Sequence, residues 1–159
     1  MNLRNNKGYV MTDASIAIII LLILVPTIMG MIYSLNASRR TTETKAQAVN
    51  IAVNVIETAK GMEMSDELDG QAILESLGDS QGIYDGMMGT IGQEEINGKN
   101  LYTAVVTKDN AGYKVYVDVI DYSEEHNEAK QNILKTVIVN VKYKAGGQEN
   151  EITLKSLIK

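Results

Sequence analysis

The feature that most constrains this chain is an uncharged, strongly apolar stretch at residues 14–38, about 25 residues long. At 1.5 Å per residue, a helix of that length exceeds the roughly 30 Å hydrocarbon core of a bilayer. The sequence therefore predicts a membrane-spanning helix. One acidic residue, Asp13, stands immediately before the stretch, where hydropathy gives no reason for a charge.

A cleaved secretory signal peptide is the obvious alternative for this segment. Its apolar region has about 7 to 15 residues and ends in a small-x-small cleavage site. Here the stretch is longer, and the nearest candidate, Leu35-Asn36-Ala37, has a large residue where a small one is required. Conventional signal cleavage is therefore disfavoured, while a plain signal anchor with a helix-capping acid stays open as an alternative.

The remaining sequence limits the classes of function. About 100 residues are left outside the apolar part, which is enough for one small domain. The chain has a net charge of −5 and lacks a basic stripe, which argues against nucleic-acid binding. It contains no cysteine, so a domain outside the cytoplasm would be held together by packing alone.

The apolar stretch continues into a second helical segment. Glycine and proline are absent from residues 39–60, so we predict one helix over residues 9–60, on the order of 75 to 80 Å long. Pro26 removes one backbone hydrogen bond and predicts a kink. Residues 39–60 are apolar around most of the helix, so one side would face the protein's own domain and another side a partner. A narrow polar stripe interrupts this surface at Gln47, Asn50, Asn54 and Glu57.

The C-terminal part has the pattern of a sheet. Residues 61–100 are rich in glycine and predict a connecting loop with a short helix near residues 71–77. Period-two alternation then predicts an antiparallel meander of about four strands, with its apolar face on the long helix. The fold class is therefore α+β. The predicted strands cover residues 101–107, 113–122, 133–144 and 149–158.

Several N-terminal features coincide with those of a known family. Lys7-Gly8 is followed by the aromatic Tyr9, and Asp13 lies five residues after the glycine, ahead of the apolar helix. The chain thereby resembles type IV prepilins and type II secretion pseudopilins. Asp13 stands where the family usually has glutamate, and Pro26 comes a few residues earlier than in typical major pilins.

The likeness continues beyond the membrane span. The helical segment after the span is similar to the corresponding segment of minor pilins of the V type and pseudopilins of the I type. The strand segments 113–117 and 152–158 also resemble the last strands of these proteins. The matching helical positions are Ala46, Ile51, Ala52, Ile56, Glu57 and Lys60.

The resemblance implies a type IV pilin-like fold and a structural, non-enzymatic subunit. A prepilin peptidase would cleave between Gly8 and Tyr9, and the new Tyr9 amine could be N-methylated. Other implied partners are further pilin or pseudopilin subunits, an inner-membrane assembly platform and, before assembly, the lipid bilayer. The implied organisation is a leader at 1–8, a membrane-spanning half-helix at 9–38, an amphipathic half at 39–60, a connecting region at 61–100 and the sheet at 101–159.

A cationic partner would stabilise the charge of Asp13 at the membrane. A charged residue costs about 2.5 to 3.5 kcal/mol at the bilayer centre and less near an interface. Cleavage at Gly8 would create the cationic amine of Tyr9, about one helical turn from Asp13. In a fibre, we expect Asp13 to pair with the Tyr9 amine of a neighbouring subunit.

Membrane orientation does not follow from the flanking charges. Basic residues lie on both sides of the span, so the positive-inside rule is indecisive. The resemblance alone implies a single-pass protein of the plasma membrane with its C-terminal domain outside the cytoplasm, which later enters a fibre at the cell surface. The competing cations are Arg4 and Lys7 before the span and Arg39, Arg40 and Lys45 after it.

Other functions find less support in the sequence. His126 lies among acidic residues, but a single imidazole on a turn is more typical of a solvated loop than of a metal site. Neither a catalytic constellation nor a cofactor motif is evident. One rival interpretation is an uncleaved single-pass protein with an extracytoplasmic sensing or binding domain. A second rival, a membrane-tethered hydrolase, would need a catalytic cluster that the sequence does not display.

Overall fold

The computed structural model describes residues 6–62, 68–79, 87–121 and 134–158. The chain forms two compact units, Met1–Arg40 and Thr41–Lys159, and the boundary lies inside the first helix. The elements in chain order are the helices α1 (Asn6–Gly61) and α2 (Gly70–Asp79), then the strands β1 (Met87–Met88), β2 (Gly92–Ile96), β3 (Lys99–Lys108), β4 (Ala111–Asp121), β5 (Lys135–Ala145) and β6 (Gln148–Ile158).

Helix α1 has nearly the bounds that the sequence predicts. It contains 56 residues, passes through Pro26 and ends at Gly61. A proline is tolerated inside an apolar helix when the freed backbone groups find other partners. Glycine is the usual residue just at or beyond a helix end, because its backbone reaches conformations that stop the helix.

The short helix near residues 71–77 is also present, as α2. The carboxylate of Asp69 accepts a hydrogen bond from the backbone N–H of Ala72, at 2.8 Å, in the arrangement of a helix N-cap. Ile73, Leu74 and Leu77 repeat at helical spacing and are all buried. Capping and one apolar face therefore explain why a ten-residue helix forms within a glycine-rich region.

The sheet is antiparallel and, within the described residues, has six strands rather than the predicted number of about four. Its order is β1-β3-β4-β5-β6, and β2 pairs with the same side of β3 as β1 does. Strands β3 to β6 correspond to the predicted meander. The two additional strands come from residues 61–100, where the sequence has no apolar alternation, and both depend on β3 for their pairing.

Two-residue turns join β2 to β3, β3 to β4 and β5 to β6. Their residues have positive φ: Asn97 and Gly98 (54° and 78°), Asp109 and Asn110 (50° and 62°), and Gly146 and Gly147 (62° and 80°). Asparagine, aspartate and glycine are the residues that tolerate this conformation, which matches the right-handed twist of a hairpin. The turn between β3 and β4 and the turn between β5 and β6 lie at the same end of the sheet, because the intervening strands are antiparallel.

The core of the second unit lies between one face of the sheet and the helices. In the middle of the sheet, Val117 and Val139 are paired neighbours and both are buried. The helical segment after Thr41 contributes apolar residues to the same cluster, as does α2. The buried helical side chains are Ala48, Ile51, Ala52, Val55, Ile56 and Ala59 of α1, and Ile73, Leu74 and Leu77 of α2.

This packing accounts for the buried apolar positions of the helical segment 41–61. They share one core cluster with residues of the sheet and of α2, and the expected partner on another side of the segment stays a prediction. Its exposed stripe is mostly polar and includes Asn50, Val53, Glu57 and Lys60. The large unburied apolar surface of the chain lies in the first unit instead.

Candidate functional site

The N-terminal residues singled out by sequence all lie on α1. Gly8 and Tyr9 are part of its first turns. Asp13 follows Tyr9 by four residues, so the two positions share one face of the helix. Because α1 begins at Asn6, its first turn contains no acidic residue. Asp13 would approach the positive end of the helix dipole only in a chain that starts at Tyr9.

The segment after Asp13 exposes an unusual amount of apolar surface. Its large side chains are 44% exposed at Val25 and 75% exposed at Tyr33, with the others between these values. Monomeric soluble proteins rarely expose contiguous apolar patches of more than a few hundred Å². This surface therefore requires an apolar environment. The exposed residues include Ile16, Ile18, Ile19, Ile20, Leu21, Leu22, Ile23, Leu24, Ile28, Met29, Met31, Ile32 and Leu35.

Length and composition make α1 able to cross a membrane. Its most apolar window has a mean hydropathy of 2.7, and none of that window is buried in the protein. Among the described residues, α1 is the helix that meets these criteria. The structure therefore agrees with a single-pass membrane segment near the N-terminus.

Polar side chains inside this segment bond to their own helix. Ser15 Oγ donates to the backbone carbonyl of Met11, and Thr27 Oγ1 donates to that of Ile23, both at 2.8 Å. Such bonds satisfy hydroxyl groups where water is excluded. The second lies beside Pro26, which has no N–H to donate. The hydroxyl of Thr27, next to the predicted kink residue Pro26, is therefore bonded to the preceding turn of the helix.

A second group of candidate side chains lies on the face of the sheet away from the core. Strand alternation directs Tyr116 to this face, yet it is only 4% exposed. Two ammonium groups cover its ring: Lys142 Nζ lies 5.0 Å and Lys114 Nζ 5.4 Å from the ring centroid. Distances below about 6 Å permit cation–π attraction. The ring and the two cations form what we call the lysine–tyrosine cluster.

One carboxylate joins the lysine–tyrosine cluster. Glu94 Oε2 lies 2.7 Å from Lys114 Nζ. Hydrogen bonds from Lys114 and from Tyr116 hold the pKa of Glu94 below its usual range. Reciprocally, the Glu94 carboxylate raises the pKa of Lys114. Because both side chains are about 40% exposed, water screens this pair, and its contribution to stability is small.

A groove runs beside the cluster. It has a volume of about 630 Å³ and is lined by Lys114, Tyr116, Lys142, Glu149 and Glu151 among others. Across the next strand pair, the amide of Asn140 donates to Glu151 and, at 3.2 Å, to Thr153 Oγ1. The groove is partly open to solvent, and both lysine and glutamate side chains line it.

A third set of contacts connects the helix to the sheet within the second unit. Gln47 accepts a hydrogen bond from the hydroxyl of Tyr113, and its amide donates to Asp109 Oδ2, each at 2.5 Å. Tyr113 is fully buried, and its ring lies 6.3 Å from that of Tyr143. Sequence reasoning assigned Gln47 only to a polar stripe. Its partner could not be identified because the contact depends on how the turn at Asp109 folds back.

The candidate metal and catalytic positions are not assembled by the described residues. Within residues 6–62, 68–79, 87–121 and 134–158, no group of three metal-ligating side chains is found. His126 lies outside the described residues, as do Asp66 and Glu67. Asp118 lies 3.7 Å from the ammonium of Lys99, which gives it an ordinary ion-pair role.

Comparison of the chain with protein-family models, with curated proteins and with solved structures gave no match. A functional proposal therefore rests on two observations, the N-terminal residues and the exposed apolar helix, together with the α+β layout of the second unit.

Proposed function

We propose that this chain is a minor pilin or pseudopilin, a structural subunit of a type IV pilus or of a type II secretion pseudopilus. A prepilin peptidase would cleave it after Gly8 on the cytoplasmic side of the membrane. The mature subunit would begin at Tyr9, remain in the bilayer through α1 and then enter a helical fibre on an assembly platform.

The observation that carries the proposal is the acidic Asp13 at the start of the exposed apolar surface of α1. A membrane anchor needs lipid on all sides of such a helix and nothing more. The acidic residue at its start, one turn after a glycine–tyrosine junction, is an extra feature that anchoring alone does not require. A fibre subunit, however, needs a surface that lipid can cover first and other subunits afterwards.

The charge of Asp13 supplies the specificity in this scheme. Apolar helices can slide along one another, since their contacts have little directional preference. A carboxylate that pairs with the Tyr9 amine of the next subunit would favour one axial position over the others. Asp13 is exposed on α1 and so is available for an intermolecular contact.

The second unit supports the same proposal. A helix packed on one face of an antiparallel sheet is the layout expected of a type IV pilin-like domain. The opposite face of the sheet, with the lysine–tyrosine cluster and the groove, is then free for contacts specific to one subunit type. The domain would lie outside the cytoplasm.

The experiment that tests the proposal is mass spectrometry of the mature N-terminus after co-expression with a prepilin peptidase. We expect a chain that starts at Tyr9, with or without one added methyl group. The same measurement without the peptidase is the control and should return the intact leader. An intact Met1 under both conditions would contradict the proposal and favour the uncleaved single-pass protein with a sensing or binding domain.

A further inference from the structure

Two turns of the sheet meet the beginning of the helical segment in the second unit. Asp109, in the turn between β3 and β4, accepts the hydrogen bond from Gln47. In the turn between β5 and β6, a methyl group added at Gly146 would lie 3.7 Å from the hydroxyl of Thr41. We call this region the turn end; it comprises residues 108–111, residues 144–149 and the helical residues 41–47.

Chain connectivity keeps the turn end close to the end of the membrane span. Thr41 follows Ser38, the last residue of the uncharged stretch, by three positions. Three residues cover about 5 Å in a helix and at most about 11 Å when fully extended. The headgroup layer on one side of a bilayer is about 5 to 7 Å thick. The tether therefore brings Thr41, and with it the adjacent turn at Gly146, within reach of the headgroups.

The turn end is less acidic than the whole chain. It has three cations and three acids, whereas the chain has a net charge of −5, and Arg39 and Arg40 directly precede it. Lys144 has a side chain that is 77% exposed, and its neighbour Glu149 lies 3.6 Å away. The cations of the turn end are Lys45, Lys108 and Lys144, and the acids are Glu43, Asp109 and Glu149.

We propose that the turn end rests on anionic phospholipid headgroups while the subunit is in the bilayer, with Lys108 and Lys144 near the lipid phosphates. Basic side chains next to a membrane span are attracted by the negative potential of anionic lipids. The net negative charge of the remaining surface disfavours other faces of the domain at the same membrane. This contact requires α1 to span the bilayer but does not require cleavage at Gly8.

The absence of cysteine allows a direct test with two matched labels. Asn110 and Asn97 both lie in exposed two-residue turns with positive φ, at opposite ends of β3. The full chain, as Asn110→Cys or as Asn97→Cys, would be spin-labelled in phosphatidylcholine vesicles that contain phosphatidylglycerol. A relaxation reagent attached to the lipid headgroups should affect the label at position 110 several-fold more than the label at position 97. Equal effects at the two positions would overturn the proposal.

Charge reversal tests the chemistry of the contact. Lys144 and Lys99 are matched, because each has an exposed side chain that forms one ion pair, at 3.6 Å and 3.7 Å respectively. Lys144→Glu should lower the headgroup effect on a label at position 110, whereas Lys99→Glu should leave it unchanged. In vesicles of phosphatidylcholine alone, the difference between the two variants should shrink. A Lys144→Glu variant that keeps the full effect would overturn the role of anionic lipid.

The result can be separated from the proposed function. The same labels can be placed in a Gly8→Leu chain, which a prepilin peptidase should not process. The headgroup effect at position 110 is expected to persist there, because the contact depends on the span and not on the new N-terminus. Loss of the effect in that chain would show that the contact needs cleavage and would overturn the proposal as stated.

Discussion

The hydroxyl of Tyr113 donates a hydrogen bond to the side-chain carbonyl of Gln47, with 2.5 Å between the two oxygens. The first residue belongs to β4 and the second to α1. Gln47 in turn donates to Asp109, so one helical residue is bound both to a strand and to the turn that precedes it. These contacts fix the helix on the sheet at the turn end.

Removal of this hydroxyl should destabilise the second unit. We expect Tyr113→Phe to lower the free energy of unfolding by about 1 to 2 kcal/mol, because the Gln47 carbonyl loses its donor in a partly buried site. Thermal unfolding in detergent micelles, followed by circular dichroism, would measure the change. Tyr143→Phe is the matched control from the same aromatic pair and should cost less. Equal losses would contradict a specific contribution from the hydrogen bond between Tyr113 and Gln47.

The same residue predicts a loss of stability at alkaline pH. Burial raises the pKa of Tyr113 above its ordinary value of 10.0, and the nearby Asp109 carboxylate raises it further. The folded state therefore holds the phenol proton more tightly than the unfolded state. The stabilisation that the protonated phenol gives to the folded state is complete below about pH 10. It is lost as the pH rises through the pKa of Tyr113 in the folded state. The difference in free energy of unfolding between the native chain and Tyr113→Phe should therefore become smaller above pH 10. A difference that stays constant with pH would contradict a raised pKa for Tyr113.

Gly70 allows a test of the packing of α2 against the sheet. A methyl group at this position would lie 2.9 Å from the backbone carbonyl oxygen of Val117 and 3.0 Å from the ring of Tyr102. Backbone cannot move away cheaply, so we expect Gly70→Ala to cost about 1 to 3 kcal/mol of stability. Gly61→Ala is the control, since a methyl group there meets nothing within 4 Å. A Gly70→Ala chain as stable as the control would show that α2 is not held in this position.

Processing of the leader should depend on the size of residue 8. A peptidase that recognises glycine at the cleavage site should accept Gly8→Ala better than Gly8→Leu, because only a small side chain fits beside the bond to be cut. The fraction of chain that begins at Tyr9 would be measured by mass spectrometry after co-expression. Normal processing of the leucine variant would count against the leader assignment.

Asp13 should be required for assembly and not for membrane insertion. We expect Asp13→Ala to enter the bilayer as well as the native chain, because it removes a charge that is costly in lipid. Its incorporation into fibres, measured as the subunit recovered with sheared fibres, should fall strongly. Asp13→Glu keeps the charge and is expected to assemble. If the alanine variant assembles normally, charge pairing is not the mechanism.

Much of this fold can be predicted from the sequence, for reasons that are local. Alternation marks β4 and β5 because their alternate residues face a core, as Val115 and Val141 do. Continuous apolar character and the absence of helix breakers mark α1. By contrast, β1 has two residues and β2 has five, too few to show an alternating apolar pattern, so their pairing with β3 decides their conformation.

The candidate sites also differ in how far they can be predicted from the sequence. Gly8, Tyr9 and Asp13 form a linear motif, so the sequence displays their spacing directly. The lysine–tyrosine cluster combines Glu94 of β2, Lys114 and Tyr116 of β4, and Lys142 of β5. Its assembly depends on the register of several strands, and a shift of one residue in any strand would send its side chain to the other face.

The hydroxyl groups of Ser15 and Thr27 have one more consequence. Because each is satisfied by a carbonyl of its own helix, neither needs a new hydrogen bond when the surroundings of α1 change from acyl chains to neighbouring protein. In the proposed transfer between these two environments, the hydrogen bonds of Ser15 and Thr27 would stay unaltered. The electrostatic surroundings of Asp13, by contrast, would distinguish the stored subunit from the polymerised one.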